Sequence, residues 1–382
     1  MSRRPHIVAF DLIRLIIMVF VVGVHTLAFG GGAVTVVLGA ITTVFHTSRE
    51  LFFLLTALVL GYNYGPLQNV SWPRFWRRRY WLIVPAYATW SLVYFLADGD
   101  VHRSPAVLLS AFCRDLLDAG ARYHLYFLLV TMQVYALFPA IRWLLRKTSR
   151  HHALLFAAAW AYQLALTAAI QYHWVRGGIL GGWLNGAPRI WMASYLLYIV
   201  GGAIVGWHFE RVCEVTRRYA SGATVTLAAG TGVATGVGAY LAQVYAWGAT
   251  PDAASAVFQP VVVVEALCLG WALLAGGLLW SDRGAPGRPF FAAGAASSFG
   301  IYLAHPLVLQ FVLWLASLSG FLGLVRSSGA GPEVLVLLGL FLPVVYAGAW
   351  VIASAARRTP LSLVLTGREW SRQEKPLELA SA

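Results

Sequence analysis

Apolar residues run through this 382-residue chain in long stretches broken by short polar segments, without the period-two alternation of half-buried strands. A helix needs about 20 mostly apolar residues to cross the ~30 Å hydrocarbon layer of a bilayer, and the stretches have that length. The pattern predicts spans at 7–29, 38–63, 80–97, 123–145, 152–172, 189–209, 219–243, 256–280, 290–316 and 333–356. About ten transmembrane helices in an all-α integral membrane protein follow, not a barrel of alternating strands. Arg3 and Arg4 precede an apolar run as in a signal peptide, but Asp11 and Arg14 interrupt it and no clean small-residue cleavage site follows. The run is read as the first span.

Composition agrees: 59% of residues are hydrophobic and only 11% are charged, too few to cover a water-soluble surface. The formal charge of +13 matters through its placement. With the N-terminus inside, the inner segments carry 20 Lys and Arg and the outer segments seven, leaving Arg14 inside a helix. The positive-inside rule then puts both termini in the cytoplasm. No basic tract interleaved with aromatics points to nucleic acid. The 16 Trp and 17 Tyr suit interfacial belts in a lipid bilayer. Cys113, Cys213 and Cys268 map to an outer loop, an inner loop and a helix core, so no pair is placed for a disulfide. No metal-ligand spacing occurs.

The outer breaks at 98–122 and 173–188 are too short to fold alone, so residues 1–356 read as a single transmembrane domain and 357–382 as a short cytoplasmic tail. The seventh span is rich in Gly, Ala and Thr, which suits close helix packing. Ionisable groups inside spans cost ~2.5–3.5 kcal/mol each on insertion scales, so each marks function or a buried pair. They are Asp11, Arg14 and His25 in the first span, Arg49 and Glu50 in the second, Glu265 in the eighth and His305 in the ninth. Arg14 and His25 are 11 positions apart. They share a helix face to within about 20° and are separated by about 16 Å of rise. That length matches an extended pantetheine arm. An Asp11–Arg14 ion pair with an interfacial His25 accounts for the same spacing.

FDLIRLIIMVFVVGVHT (Phe10–Thr26) resembles the first helix of the acyltransferase-three family of bacterial membrane O-acyltransferases, in which an Arg, ten residues and a His form the motif. Four later stretches match in order. ELFFLLTALVLGY (Glu50–Tyr62) is similar to the family's second helix, with Thr56 and Ala57 at its hydroxyl–Gly pair. FWRRRYWLIVPAY (Phe75–Tyr87) resembles its basic inner loop entering a proline-marked helix, with Leu82 where another Arg is common. YHLYFLLVTMQVYALFP (Tyr123–Pro139) resembles the helix that opens HLWFL, with Tyr126 for Trp, and SSFGIYLAHP (Ser297–Pro306) the late helix that carries IYL, one residue, then His.

The resemblance implies an acyltransferase of a bacterial inner membrane. It would move an acyl group, acetyl by expectation, from cytoplasmic acyl-CoA to a hydroxyl of a cell-envelope carbohydrate or lipid, with no metal. His25 would be the base. Arg14 and Arg79, with Arg77 and Arg78, would hold the CoA phosphates. Glu50 would orient the imidazole or bind acceptor hydroxyls, or else pair with Arg49. His124 maps to the same outer level, as a site residue or an interfacial one. His305 suits the bundle interior or catalysis equally, and Glu265 is expected as a buried hydrogen-bonding partner. A transporter or lipid flippase is the rival reading, because a few buried charges among ten helices would also serve a solute path.

Overall fold

The computed structural model describes residues 4–65, 69–98 and 104–370. Arg3, Arg103 and residues 371–382 of the expected tail lie outside the described residues. Among the described residues there is no strand, and nine helices are long and apolar enough to span a membrane, or ten with one bent pair. The chain is a multi-pass, all-α membrane protein.

Helix α1 runs unbroken over Ala9–Gly30. The expected second span is two pieces, α2 (Val36–His46) and α3 (Ser48–Tyr64). They meet at Thr47, whose hydroxyl donates to the Val44 carbonyl at 2.7 Å and so competes with the helix ladder. Helix α4 spans Trp72–Asp98, so the expected basic loop at 74–79 is helical. Pro73 lies in the first turn, where a missing N–H is harmless, and the Arg, Trp and Phe that follow tolerate helix. Helix α5 (Pro105–Asp118) has no buried side chain. Helices α6 (Tyr126–Lys147), α7 (His152–Gln171) and the short α8 (Gly178–Asn185) follow.

The sixth span departs most from expectation. Two 3₁₀ turns lead into α9 (Leu196–Trp207), and the chain then bends by 91° into α10 (Phe209–Tyr219). The sequence of α10, FERVCEVTRRY, is too charged to continue through hydrocarbon. Helices α11 (Gly222–Tyr245), α12 (Pro251–Ala254), α13 (Pro260–Asp282), α14 (Arg288–Leu318) and α15 (Phe321–Ser327) come next. The last span joins α16 (Ala330–Val336) to α17 (Leu342–Ala356) through a π turn at Leu337–Phe341. The turn precedes Pro343, whose missing N–H breaks the regular ladder there.

α1 stands at the centre, packed on α14, α2, α13, α3 and α17. The seam of α3 with α9 depends on absent side chains: a Cβ on Gly202 would meet the Leu54 carbonyl oxygen at 2.3 Å, and one on Gly206 the Leu58 oxygen at 2.2 Å. The first and last described segments lie at one end of the bundle, where Arg4 pairs with Glu210 at 3.6 Å and Arg368 comes within Coulombic range of Asp11. The start of the expected tail is not free. Residues Ser362–Thr366 form α18, which packs on α4, α14 and α17 and accepts the Trp90 indole N–H at Leu365 (3.1 Å).

Candidate active site

The site is built from a proline. Pro306 lies inside α14 and has no N–H for the carbonyl four residues earlier, that of Tyr302. The His305 side chain takes that place, donating from Nδ1 to the Tyr302 oxygen at 2.7 Å. A neutral imidazole carrying its proton on Nδ1 has an accepting Nε2. His25 meets it there, with His25 Nδ1 and His305 Nε2 at 2.8 Å. His25 is therefore the donor of that bond, and its own Nε2 is a free lone pair. The two rings stack with centroids 5.1 Å apart, and the Tyr123 ring lies 4.6 Å from His25.

His124 completes a cluster of three imidazoles, its centroid 5.4 Å from that of His305. It is buried, and among the described residues neither ring nitrogen meets a partner in full hydrogen-bond geometry, the Leu303 backbone being the polar group that comes nearest to bonding it. Its backbone carbonyl accepts the Tyr302 hydroxyl. His124 lies two residues before α6. His25 and His124 line a cavity of about 540 Å³ that extends past Tyr126 and Phe127 to Ser48 and Arg49.

Glu50 is placed differently. It is 2% exposed, behind the cavity wall, and accepts the Arg49 Nε–H at 3.0 Å. The group that bonds His25 is His305. The Arg49–Glu50 pair considered from sequence is thus formed.

Arg14 lies about 16 Å from His25 along the unbroken α1, at the end of the bundle that holds the terminal segments. Asp11 does not bond it; Asp11 accepts from His6 instead, at 2.8 Å. Arg79 comes within Coulombic range of Arg14, its guanidinium 5.5 Å from the Tyr135 ring. A second proline shapes this end. Pro139 releases the Tyr135 carbonyl, which accepts the Trp76 indole N–H at 2.9 Å and so fixes the first turns of α4 against α6. Arg77 and Arg78 are exposed on the same turns.

Two further arginines join from the C-terminal segment. Arg357 donates to the Ser297 hydroxyl at 3.3 Å, and Arg368 lies within Coulombic range of Arg357 and Arg14. Such a gathering of guanidiniums beside Asp11 suits a polyanion. Sequence reading assigned neither, because nothing in a presumed tail says where it folds back. The pairing of His305 with His25 was closer to hand: a His three residues after Tyr302 and just before a helical proline carries the signal.

Glu265 requires a correction. It is fully buried, but both carboxylate oxygens lack a hydrogen-bond partner among the described residues, so it is not the bonded group expected. The cause is close packing of α11 on α13, where a Cβ on Gly236 would fall 2.3 Å from Glu265 Oε2. The N–H groups of a mid-helix segment are already bonded within that helix, so α11 offers Glu265 no donor there. The three cysteines are free thiols, Cys113 exposed and Cys213 buried.

A family model described as an acyltransferase domain matches residues 7–354. No curated protein and no solved structure matches the chain.

Proposed function

Because the chain belongs to the acyltransferase-three family, and is thus a membrane acyltransferase, we propose that it moves an acyl group from acyl-CoA to a hydroxyl of a cell-envelope glycan or lipid. The donor phosphates sit at the end that carries Arg14 and Arg79, and the thioester reaches His25 along α1. In the reaction His25 Nε2 takes the proton of the acceptor hydroxyl as its oxygen attacks the thioester carbonyl. The carbon–sulfur bond then breaks, the acyl group stays on the acceptor oxygen, and the CoA thiolate recovers the proton from His25. His305 keeps Nδ1 of His25 protonated throughout, and His124 stands beside the acceptor. The observation that carries this reading is the bond of 2.8 Å between His25 Nδ1 and His305 Nε2, which leaves one basic nitrogen beside the cavity.

The membrane would be the bacterial inner membrane, with both termini in the cytoplasm where acyl-CoA is made, and acetyl is the expected group. Family membership leaves the transporter reading without a supporting observation. The test is purified protein in nanodiscs, supplied with radiolabelled acetyl-CoA and envelope extract. Label passes to envelope material with the wild type and not with His25→Ala. Equal transfer by that variant refutes the assignment of the base.

A further inference from the structure

We infer that the acceptor is an anionic hydroxyl compound, its carboxylate or phosphate held by Arg189 at the far end of the cavity from His25. The inference rests on the reading of that cavity as the acceptor site.

The cavity has two chemically different ends. At one end stand His25 and His124 with Tyr123 and Tyr302. His46, within Coulombic range of both His25 and Arg49, lies between, and beyond it Arg49 and Arg189 line the wall together with Phe258. The Arg49 guanidinium lies 4.7 Å from the Phe258 ring and 5.0 Å from that of Tyr195, and its Nη2 donates to the Val257 carbonyl at 3.2 Å. The Tyr195 hydroxyl in turn donates to the Arg189 carbonyl at 2.9 Å, which fixes Arg189 beside Arg49.

The charges at this end do not cancel. Glu50 neutralises Arg49 from behind, but among the described residues no carboxylate lines the cavity. Arg189 is exposed, and among the described residues no side chain bonds its guanidinium. The cavity thus offers one uncompensated, always-charged fork. Nearer His25, His46 has a buried Nδ1 that no partner meets among the described residues. Between the ends, Phe52, Tyr126 and Phe127 form an aromatic wall suited to the face of a sugar or other ring. A volume of about 540 Å³ holds one such amphiphilic group, not a folded polymer. A hydroxyl at the imidazole end and an anion at the arginine end meet both sets of groups at once.

The experiment measures binding without a donor, so it does not depend on transfer. The chain in nanodiscs is titrated calorimetrically with 4-nitrophenyl β-D-glucoside, with the corresponding glucuronide, and with the glucoside 6-phosphate. At least one anionic probe is expected to bind about tenfold more tightly than the neutral one, as a charge-assisted contact gives. The stronger of the two anions tells a carboxylate from a phosphate. Arg189→Gln should reduce the advantage below about threefold, and Arg189→Lys should keep part of it. Equal binding of all three probes, no binding by any of them, or an advantage that survives Arg189→Gln overturns the inference. An anion preference in a protein that transfers no label would refute the proposed reaction and leave this inference standing.

Discussion

His305→Phe tests the proton arrangement most directly. His305 is fully buried, and phenylalanine fills similar space without a lone pair, so packing among Tyr302, Leu303 and the rest of that core is largely kept. The variant removes the acceptor of the His25 Nδ1–H. A buried donor left unmade costs about 1–3 kcal/mol, which His25 avoids by moving its proton to Nε2. That tautomer is inactive as a base. The active tautomer is then disfavoured by the same amount, and at 1.4 kcal/mol per tenfold the turnover should fall about 5- to 140-fold. KM for acyl-CoA should stay unchanged, because the proposed donor site at Arg14 is about 16 Å away. His305→Gln, whose amide oxygen accepts a hydrogen bond, should recover part of the loss. The assay is kcat and KM for acetyl transfer on purified protein, with thermal stability measured in parallel. Wild-type kcat in a folded His305→Phe protein would refute the argument, and a fall confined to stability would reduce His305 to a packing residue.

The other predictions concern the arginine end and the orientation. Arg14→Ala should raise KM for acyl-CoA by about tenfold or more, since a charge-assisted contact is worth ~1.5–3 kcal/mol, and Arg14→Lys should lie between it and the wild type. Arg368→Gln should raise the same KM without lowering kcat, and an unchanged KM would remove it from the donor site. Deleting the chain from Arg357 onward takes the acceptor from the buried Trp90 indole and should cost about 1–3 kcal/mol of stability, read as a lower melting temperature. In intact cells an impermeant maleimide should label the exposed Cys113; labelling that appears only after lysis would invert the topology.

Hydropathy alone located the spans, because about 20 apolar residues in lipid have few alternatives to helix. It was blind to what happens inside them. The break at Thr47 depends on one hydroxyl bonding back to Val44, and it exposes Ser48 and Arg49 to the cavity, which no periodicity reveals. The turn from α9 into α10 follows from the charges of 210–218, which suit an inner loop and a helix outside the hydrocarbon equally well. For the site, the shared face of Arg14 and His25 followed from 100° per residue, a rule of local geometry. The contact of His25 with His305 spans 280 positions and is set by how α1 packs on α14. For Glu50, depth in the membrane gave the level of His25, and only the fold shows it paired with its neighbour Arg49 and bonded to no histidine.

Pro306 has one more consequence. Enzymes that orient a basic histidine with a carboxylate place a formal charge beside it, and at this depth in a membrane an ion surrounded by hydrocarbon is costly to keep, several kcal/mol after all relaxation. Here the orienting group at the end of the chain is a peptide carbonyl freed by the ring of a proline, a neutral dipole that never titrates. The tautomer of His25 is thus selected without a charged partner on either imidazole, and the ions of this site, Arg49 with Glu50, are kept off the His25–His305 pair.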